Sequence, residues 1–367
     1  MIPTVAIGTL VSFAACLALT PVVRNLCLRY GAVDRPGPLK IHSHPIPRLG
    51  GLAVAISIAA GVLFSNRQDA RANALFFAAL AVIWLAGFVD DLRGISPYAR
   101  LVAQVFSGTF LWLGGWRFTF AGQLPTSGAI SLVPVCFLVV LFANSFNFLD
   151  GSDGLATGVA AIVGASYLVI SRGAAADPFA RLVAAYLFGS CSAFLVYNFA
   201  PAKIHLGDSG STVLGFCAAF LASNPPYSTR PVSLLQLSPL LIAGVPLVDT
   251  SLAVVRRLTS NHSVLRGDRS HIYDQMLARE WSPRLTAVAI YAITIGLAVA
   301  AWLAVSGGMR LFLFVWALSL AGLLTFAIRL GCLGAGKEES ASPSHNLAIF
   351  VARDNAETER RPTIPQS

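Results

Sequence analysis

Charged side chains are scarce in this sequence. Asp, Glu, Lys and Arg make up 12% of its 367 residues, whereas hydrophobic residues make up 56%, and the mean hydropathy is +0.70. A soluble protein of this length needs more polar residues to cover its surface. The composition therefore predicts an all-α, polytopic integral membrane protein.

The sequence also lacks the patterns that indicate a disulfide framework, a zinc site or a nucleic-acid partner. None of its six cysteines forms a CxxC pair, so we interpret them as reduced packing residues. The formal net charge is +9, but the basic residues lie in short loops between apolar runs. That distribution is typical of membrane topology signals and argues against nucleic-acid binding.

Long apolar runs dominate what remains. Because a helix needs about 20 apolar residues to cross a membrane, we predict eleven spans, near residues 2–23, 50–65, 73–89, 99–115, 129–144, 155–171, 180–199, 211–223, 233–255, 284–305 and 310–329. Lys and Arg concentrate in the loops after the odd-numbered spans, which places the N-terminus outside and the C-terminus in the cytoplasm. Residues 1–330 form the predicted transmembrane catalytic domain, and residues 331–367 a disordered cytoplasmic tail.

The loops predicted to be cytoplasmic also hold most of the acidic residues. Acidic residues at the edge of a membrane are costly to keep there and are commonly functional. The sequence therefore predicts one polar site on the cytoplasmic face, assembled from loops that are distant in sequence. Asp249 is an exception, because it falls inside the ninth predicted span.

Two acidic motifs follow apolar runs. In GFVDDLRGIS, the adjacent carboxylates of Asp90 and Asp91 repel each other, and a hard cation such as Mg²⁺ relieves that repulsion. The alternative is a solvated helix end paired with Arg93.

In NSFNFLDGSDGLA, amides and carboxylates interrupt apolar surroundings, where unsatisfied polar groups are costly. Binding or catalytic roles are therefore predicted for Asn144, Asn147, Asp150 and Asp153.

A third motif, KIHLGDSGS, joins small residues to a carboxylate at the start of the eighth predicted span. Gly207, Gly210 and Ser211 can expose backbone N–H groups that bind an anion, and Asp208 offers a carboxylate to a metal ion. An ordinary helix N-cap at Asp208 or Ser209 is the alternative interpretation.

Two basic loops on the same side supply candidates for binding phosphate. The first, LRYGAVDRPGPLKIHSHPIPRLGG, is stiffened by proline and suits an anionic headgroup better than a metal ion. The second contains RGDRSHIYDQ, which can clamp phosphate or stack on a base. Its alternative interpretation is a topology loop with a short amphipathic helix over Ile272–Leu277. The substrate-binding candidates in these loops and in KIHLGDSGS are Lys40, His42, Lys203, Gly207, Arg269 and His271.

In order, GFVDD, NSFNFLDGSDGLA, PAKIHLGDSGS and RGDRSHIYDQ resemble the motifs of the polyprenyl-phosphate N-acetylhexosamine-1-phosphate transferases, glycosyltransferase family 4. This family includes the bacterial enzymes that initiate O-antigen, teichoic acid and capsule lipids, and the phospho-MurNAc-pentapeptide translocase. The likeness extends from about Arg35 to Trp281, and four motifs in the same order make it specific.

The resemblance implies transfer of a sugar 1-phosphate from a UDP-sugar to a polyprenyl phosphate such as undecaprenyl phosphate, with release of UMP, at the cytoplasmic face of a bacterial inner membrane. It implies base or nucleophile roles for Asp90 and Asp91, and it places Asp150, Asp153 and the preceding Asn residues in the nucleotide and catalytic pocket. Asp208 resembles the principal Mg²⁺ ligand, with Asp91 as a second predicted ligand and Mn²⁺ as a possible substitute. Because cations must neutralise both phosphates before attack, we favour metal electrostatics and positioning over a covalent aspartyl intermediate.

The fourth motif departs from the family pattern. A histidine-rich HxHH is frequent there, whereas here His271 is followed by Ile272, Tyr273 and Asp274. The donor sugar is therefore left open, with UDP-GlcNAc as the default by resemblance, and the translocase, with its triple histidine, fits less well. An ion-coupled transporter is the alternative from another class, and it predicts acids near the bilayer midplane. A homodimer is compatible with the sequence.

Overall fold

The computed structural model describes residues 2–34, 45–65, 70–116, 129–172, 176–224, 237–260 and 270–333. These residues form helices α1 (Ile2–Tyr30), α2 (Gly50–Ser65), α3 (Ala70–Arg93), α4 (Pro97–Leu113), α5 (Leu132–Leu149), α6 (Leu155–Ile170), α7 (Pro178–Asn198), α8 (Asp208–Ser223), α9 (Ser238–Ile242), α10 (Gly244–Thr259), α11 (Ile272–Leu277), α12 (Pro283–Gly307) and α13 (Met309–Arg329). A short antiparallel ladder pairs β1 (Val33–Asp34) with β2 (Ile46–Pro47). The prediction of a helical protein is confirmed, apart from this ladder.

Several of these helices have the length and composition of membrane spans. In the part of the chain that the structure describes, six qualify: Thr4–Tyr30, Asn73–Arg93, Leu132–Leu149, Pro178–Asn198, Pro283–Ala304 and Arg310–Arg329. Gly50–Val62 and Leu155–Ile170 are shorter apolar helices. Large apolar side chains remain on the outside of the bundle, such as Leu10 at 68% and Phe314 at 65% exposure. Such a surface suits lipid better than water, and the chain is a polytopic membrane protein.

Helix α8 runs through the centre of the bundle. All of its residues from Ser209 to Ser223 are buried, and α3 and α5 pack along it. A helix enclosed on every side carries apolar or small residues all round, and Asp208 in its first turn is its one charged residue. The packing of α8 therefore presents the Asp208 carboxylate from a rigid element.

The loop that leads into α8 is tied to the chain around β2. The backbone N–H of His205 donates to the carbonyl of Pro47 at 2.7 Å. In return, the N–H groups of Gly50 and Gly51 donate to the carbonyls of His205 and Leu206 at 3.0 and 2.8 Å. This exchange of backbone hydrogen bonds fixes where α8 begins.

The ninth predicted span, residues 233–255, contains a break. Helix α9 ends at Ile242 and α10 begins at Gly244. Pro246 has no backbone N–H with which to bond the carbonyl of Ile242, so a continuous helix would lose that hydrogen bond. Helix α10 carries Asp249 and Arg257 among its buried residues, and it therefore turns a polar face into the protein.

Candidate functional site

A cavity of about 220 Å³ lies where the end of α5 meets the N-terminus of α8, the end of α10 and the start of α11. It is lined by Asn147, Phe148, Asp150, Gly151, Asp208, Arg257, His271 and Tyr273. Residues from three of the predicted motifs therefore meet in one place, namely Asn147, Asp150, Asp208 and His271.

The C-terminal end of α5 connects two of these motifs. The helix ends at Leu149, and Asp150 is its C-cap. Asn147 lies about one turn earlier, and its Nδ2 donates to Asp208 Oδ1 at 2.9 Å and to Ser211 Oγ at 3.0 Å. The Asn147 amide thus holds the Asp208 carboxylate beside that of Asp150.

Arg100 on α4 connects Asp90 with Asp208. Its Nε forms an ion pair with Asp90, and its Nη1 lies 3.5 Å from Asp208 Oδ2. The other oxygen of Asp90 accepts a hydrogen bond from the backbone N–H of Ile95 at 2.9 Å. One guanidinium therefore offsets the negative charge of two carboxylates that come from different helices.

Asp91 has different neighbours, although it is adjacent to Asp90 in the sequence. Its side chain is 0% exposed and its Oδ1 lies 3.2 Å from Arg48 Nη2. The same carboxylate accepts hydrogen bonds from the N–H of Asp208 at 2.9 Å, the N–H of Ser209 at 3.0 Å and Ser209 Oγ at 2.7 Å. Asp91 therefore lies at the N-terminus of α8 and is not among the residues that line the cavity.

The remainder of the lining combines aromatic rings with a cation. The imidazole of His271 stacks parallel to the ring of Tyr273, with 6.0 Å between centroids, and lies 5.1 Å from the ring of Phe148. The guanidinium carbon of Arg257 lies 5.1 Å from the centroid of Phe148, which is a cation–π distance. The cavity thus joins carboxylates, a buried arginine and flat apolar faces.

His271 is held by Asp249, and helix α11 begins directly after it. Asp249 Oδ2 lies 2.7 Å from His271 Nδ1, and Asp249 Oδ1 accepts the N–H of Ile272 at 2.8 Å. Asp274 closes a capping box with His271 at the start of α11. The short helix that the sequence predicted over Ile272–Leu277 is therefore present, and its start is fixed by two acids.

Sequence comparisons relate this chain to a known family. The family model of glycosyl transferase family 4 matches residues 73–224. A Bacillus subtilis protein named probable undecaprenyl-phosphate N-acetylglucosaminyl 1-phosphate transferase is 30% identical over 318 residues, covering 85% of this chain and 88% of that protein. The chain belongs to glycosyl transferase family 4. The predicted resemblance to this family is thereby confirmed.

Two further relatives are similar to this chain over most of its length. A decaprenyl-phosphate N-acetylglucosaminephosphotransferase of Mycolicibacterium smegmatis is 32% identical over 73% of this chain and 74% of that protein. A phospho-N-acetylmuramoyl-pentapeptide-transferase of Mycobacterium bovis is 28% identical over 83% of this chain and 99% of that protein. Of these relatives, those named for N-acetylglucosamine are the more similar, in agreement with the prediction.

The family 4 carboxylates crowd one another around the cavity. Burial raises the pKa of Asp150 well above its usual range, and the charges of Asp208, Asp91 and Asp153 raise it further. Hard oxygen donors of this kind suit Mg²⁺, which commonly keeps several waters and binds substrate phosphates. Among the described residues, no three His, Cys, Asp or Glu side chains form a metal-binding group. The two carboxylates that line the cavity, those of Asp150 and Asp208, are oxygen donors of the type that suits Mg²⁺.

Two of the residues predicted from NSFNFLDGSDGLA contact neighbouring loops and helices. Asp153 Oδ2 accepts the N–H of Ala202 at 2.8 Å, and its Oδ1 lies 3.6 Å from His205 Nε2. Asn144 Nδ2 donates to Gln104 Oε1 of α4 at 2.9 Å. Neither residue lines the cavity, and their catalytic and substrate-binding roles stay predictions.

The other predicted residues divide between the loop before α8 and the segments that the structure does not describe. Lys203 is exposed, and its carbonyl accepts a hydrogen bond from Arg24 Nε at 3.3 Å. Gly207 lies directly before α8. Lys40, His42 and Arg269 lie outside the described residues, and their roles stay predictions.

The sequence interpretation missed Arg100, Arg257 and Asp249. A Lys/Arg count indicates a topology signal for any basic residue near a helix end, and it therefore does not distinguish these two arginines. The spacing of Asp249 and Arg257 held a usable signal, because residues about two turns apart lie on one face of a helix. A helix with two charged residues on one face is more typical of a polar site than of a lipid-facing span.

Proposed function

We propose that this protein transfers an N-acetylhexosamine 1-phosphate, by default GlcNAc 1-phosphate, from a UDP-sugar to undecaprenyl phosphate. UMP is released, and the product is a lipid diphosphate sugar for cell-envelope polysaccharides. The observation that carries the proposal is the cavity in which Asp150 and Asp208 share a space with Arg257 and aromatic rings. Family 4 membership supports it, because the Bacillus subtilis relative is named for undecaprenyl phosphate and the Mycolicibacterium smegmatis relative for decaprenyl phosphate, both with N-acetylglucosamine as the sugar.

The chemistry explains why acids and arginines are both needed. An oxygen of the lipid phosphate attacks the β-phosphorus of the UDP-sugar and forms a new P–O bond. The bond from that phosphorus to the bridging oxygen breaks, and UMP leaves with this oxygen. Both reactants are anions, so catalysis depends mainly on positioning and on neutralising charge. Arg257 lines the cavity while it is only 4% exposed, and it is the cation that we place against the donor phosphates.

Mg²⁺ is the cofactor that we propose, with Mn²⁺ as a substitute. Asp208 and Asp150 would hold it, with water and substrate phosphate as the remaining ligands. When bound, it supplies positive charge to the phosphates during transfer. The position of Asp150 and Asp208 in the lining of one cavity supports this assignment, because a cation offsets the repulsion between two carboxylates.

The placement in the membrane follows from the distribution of basic residues. We propose eleven spans, an external N-terminus, a cytoplasmic C-terminus and a catalytic site on the cytoplasmic face of a bacterial inner membrane. Asp90 and Asp91 lie in the last turn of α3, and Asp150 is the C-cap of α5, which supports a site at one edge of the bundle. A homodimer stays a prediction.

A single assay tests the function. The protein is purified in detergent and supplied with Mg²⁺, undecaprenyl phosphate and either UDP-GlcNAc, UDP-GalNAc or UDP-MurNAc-pentapeptide, and UMP release is measured. We expect release with a UDP-N-acetylhexosamine only when the lipid and Mg²⁺ are both present. Release from the pentapeptide donor alone would assign the peptidoglycan reaction instead. No UMP from any donor, together with substrate-driven proton flux in vesicles, would indicate a transporter.

A further inference from the structure

The N-terminus of α8 is occupied by a carboxylate of the protein itself. The first N–H groups of a helix have no partner within the helix, and its dipole favours negative charge there. In this protein, the carboxylate of Asp91 occupies that position, although it is 117 residues from Asp208 in the sequence. It accepts hydrogen bonds from the N–H groups of Asp208 and Ser209 and from the Ser209 hydroxyl. The anion site that the GDSGS motif indicates is therefore filled from within the protein.

The acceptor positions of this carboxylate are fully used. Oδ1 accepts from the Asp208 N–H and from Arg48, and Oδ2 accepts from the Ser209 N–H and the Ser209 hydroxyl. An ionised carboxylate has about four lone-pair positions, and four donors reach this one. The side chain is 0% exposed, so a metal ion would first have to displace these donors.

Gly207 makes this arrangement possible. Its φ is 77°, a backbone conformation that favours glycine. A Cβ at this position would also lie 2.7 Å from Asp91 Oδ2 and 2.9 Å from Asp91 Oδ1. The glycine before α8 therefore leaves room for the carboxylate of α3 at the end of the helix.

We propose that Asp91 is a positioning residue and not a metal ligand: its carboxylate holds the N-terminus of α8 and thereby sets where Asp208 lies. This inference rests on the proposed function, because that reaction is what Asp208 serves. It changes the predicted role of Asp91, and it also places the donor phosphates at the cavity and not at the N–H groups of α8. Asp208, with its side chain 30% exposed, is the acid of this pair that reaches the cavity.

A double-mutant cycle tests the proposal. Asp91→Asn puts amide N–H groups against the donors of α8, and Ser209→Ala removes one of those donors. Residues that act through one network give effects that do not add, whereas independent residues give additive effects. We therefore measure the unfolding temperature without metal, the Mg²⁺ concentration for half-maximal UMP release and kcat, for both single variants and for the double variant.

In all three measurements, we expect the effects of Asp91→Asn and Ser209→Ala to be strongly non-additive. Ser209→Ala alone should lower kcat roughly fivefold, the factor that one ordinary hydrogen bond represents. It should also lower the metal-free unfolding temperature, and in the Asp91→Asn background it should cause little further change. Ser223→Ala is the matched control, because this buried serine lies at the other end of α8 and, among the residues that the structure describes, bonds only the carbonyl of Ala219 in its own helix. Its effects should add to those of Asp91→Asn.

Other results would overturn the proposal. Additive effects on kcat, combined with a wild-type unfolding temperature for Asp91→Asn, would mean that Asp91 acts directly on metal or substrate. If Asp91→Asn does not fold, Ser209→Ala decides: a wild-type unfolding temperature and Mg²⁺ requirement would contradict the positioning role. If wild-type protein releases no UMP, the proposed function fails, while the metal-free unfolding cycle still decides whether Asp91 holds α8.

Discussion

Asp249 and His271 form a buried pair that joins α10 to the start of α11. Asp249 Oδ2 lies 2.7 Å from His271 Nδ1, and the two side chains are only 3% and 4% exposed. A carboxylate at this distance keeps the proton on Nδ1 and fixes the orientation of the ring. Asp249 therefore determines how the imidazole faces the cavity, although Asp249 does not line the cavity.

Asp249→Asn should weaken donor binding more than it slows turnover. The amide keeps the size of the side chain and can still accept the N–H of Ile272, but it no longer fixes the tautomer of His271. Removal of such an orienting carboxylate commonly costs about tenfold or more, and we expect KM for the UDP-sugar to rise by about that factor. Steady-state kinetics with varied donor check this. A wild-type KM in a folded Asp249→Asn protein would contradict the orienting role.

Asp150 should make the metal-free protein less stable as the pH rises. Because burial raises its pKa in the folded state, the folded protein keeps this proton at pH values where the unfolded chain has lost it. Stability therefore falls with rising pH, from near the ordinary Asp pKa of about 3.9 up to the raised value. Asp150→Asn should raise the unfolding temperature in EDTA at neutral pH. The difference in unfolding temperature between this variant and the wild type should shrink as the pH is lowered.

The same variant should lose transferase activity while it gains stability. Unfolding temperatures in EDTA and in Mg²⁺ separate the two effects, because bound Mg²⁺ stabilises the wild type by mass action. An Asp150→Asn protein that is less stable than wild type in EDTA at neutral pH would contradict the raised pKa of this carboxylate.

Arg100→Ala should reduce UMP release more than tenfold, on the order of what loss of a charged group at a phosphoryl-transfer site causes. Without the guanidinium, the carboxylates of Asp90 and Asp208 lack the cation that lies between them. Arg93→Ala is the matched control, because Arg93 is an exposed basic residue at the end of α3. It should keep wild-type activity, and equal losses in the two variants would point to a general effect of basic charge.

Asp208→Asn should abolish turnover and leave the protein folded. Its carboxylate is the acid that Asn147 and Arg100 orient at the cavity, and an amide gives a weaker ligand for Mg²⁺. Size-exclusion profiles and unfolding temperatures establish that the variant is intact, and UMP release at increasing Mg²⁺ measures the loss. Retention of more than about a tenth of wild-type activity would refute the metal assignment.

The sequence was sufficient to predict that Asn147, Asp150, Asp208 and His271 meet, because apolar runs set where helices end and polar residues gather at those ends. It could not predict what each acid contacts. Asp90 and Asp91 are neighbours in sequence, but they are about 100° apart around α3, so one reaches Arg100 and the other reaches α8. Asp153 would share a face with Asp150 only in a continuous helix. Since α5 ends at Leu149, Asp153 contacts Ala202 instead.

Gly151→Ala should disturb the cavity through Tyr273. A Cβ on Gly151 would collide with the hydroxyl of Tyr273, while the backbone of Gly151 does not have the positive φ that favours glycine. The added methyl group should therefore displace the Tyr273 ring. Because this ring stacks on the imidazole of His271, the imidazole should move as well. We expect a raised KM for the UDP-sugar, measured in the UMP assay.

Two variants show whether that effect arises from the collision. Gly151→Ala combined with Tyr273→Phe removes the colliding hydroxyl and should restore part of the lost donor affinity. Gly296→Ala on α12 is the control, because a Cβ there meets no atom within 4 Å, and alanine is favoured over glycine inside a helix. A wild-type KM for Gly151→Ala would show that the Tyr273 ring can move without disturbing donor binding. The stacked pair would then be part of the packing around the cavity and not part of the donor site.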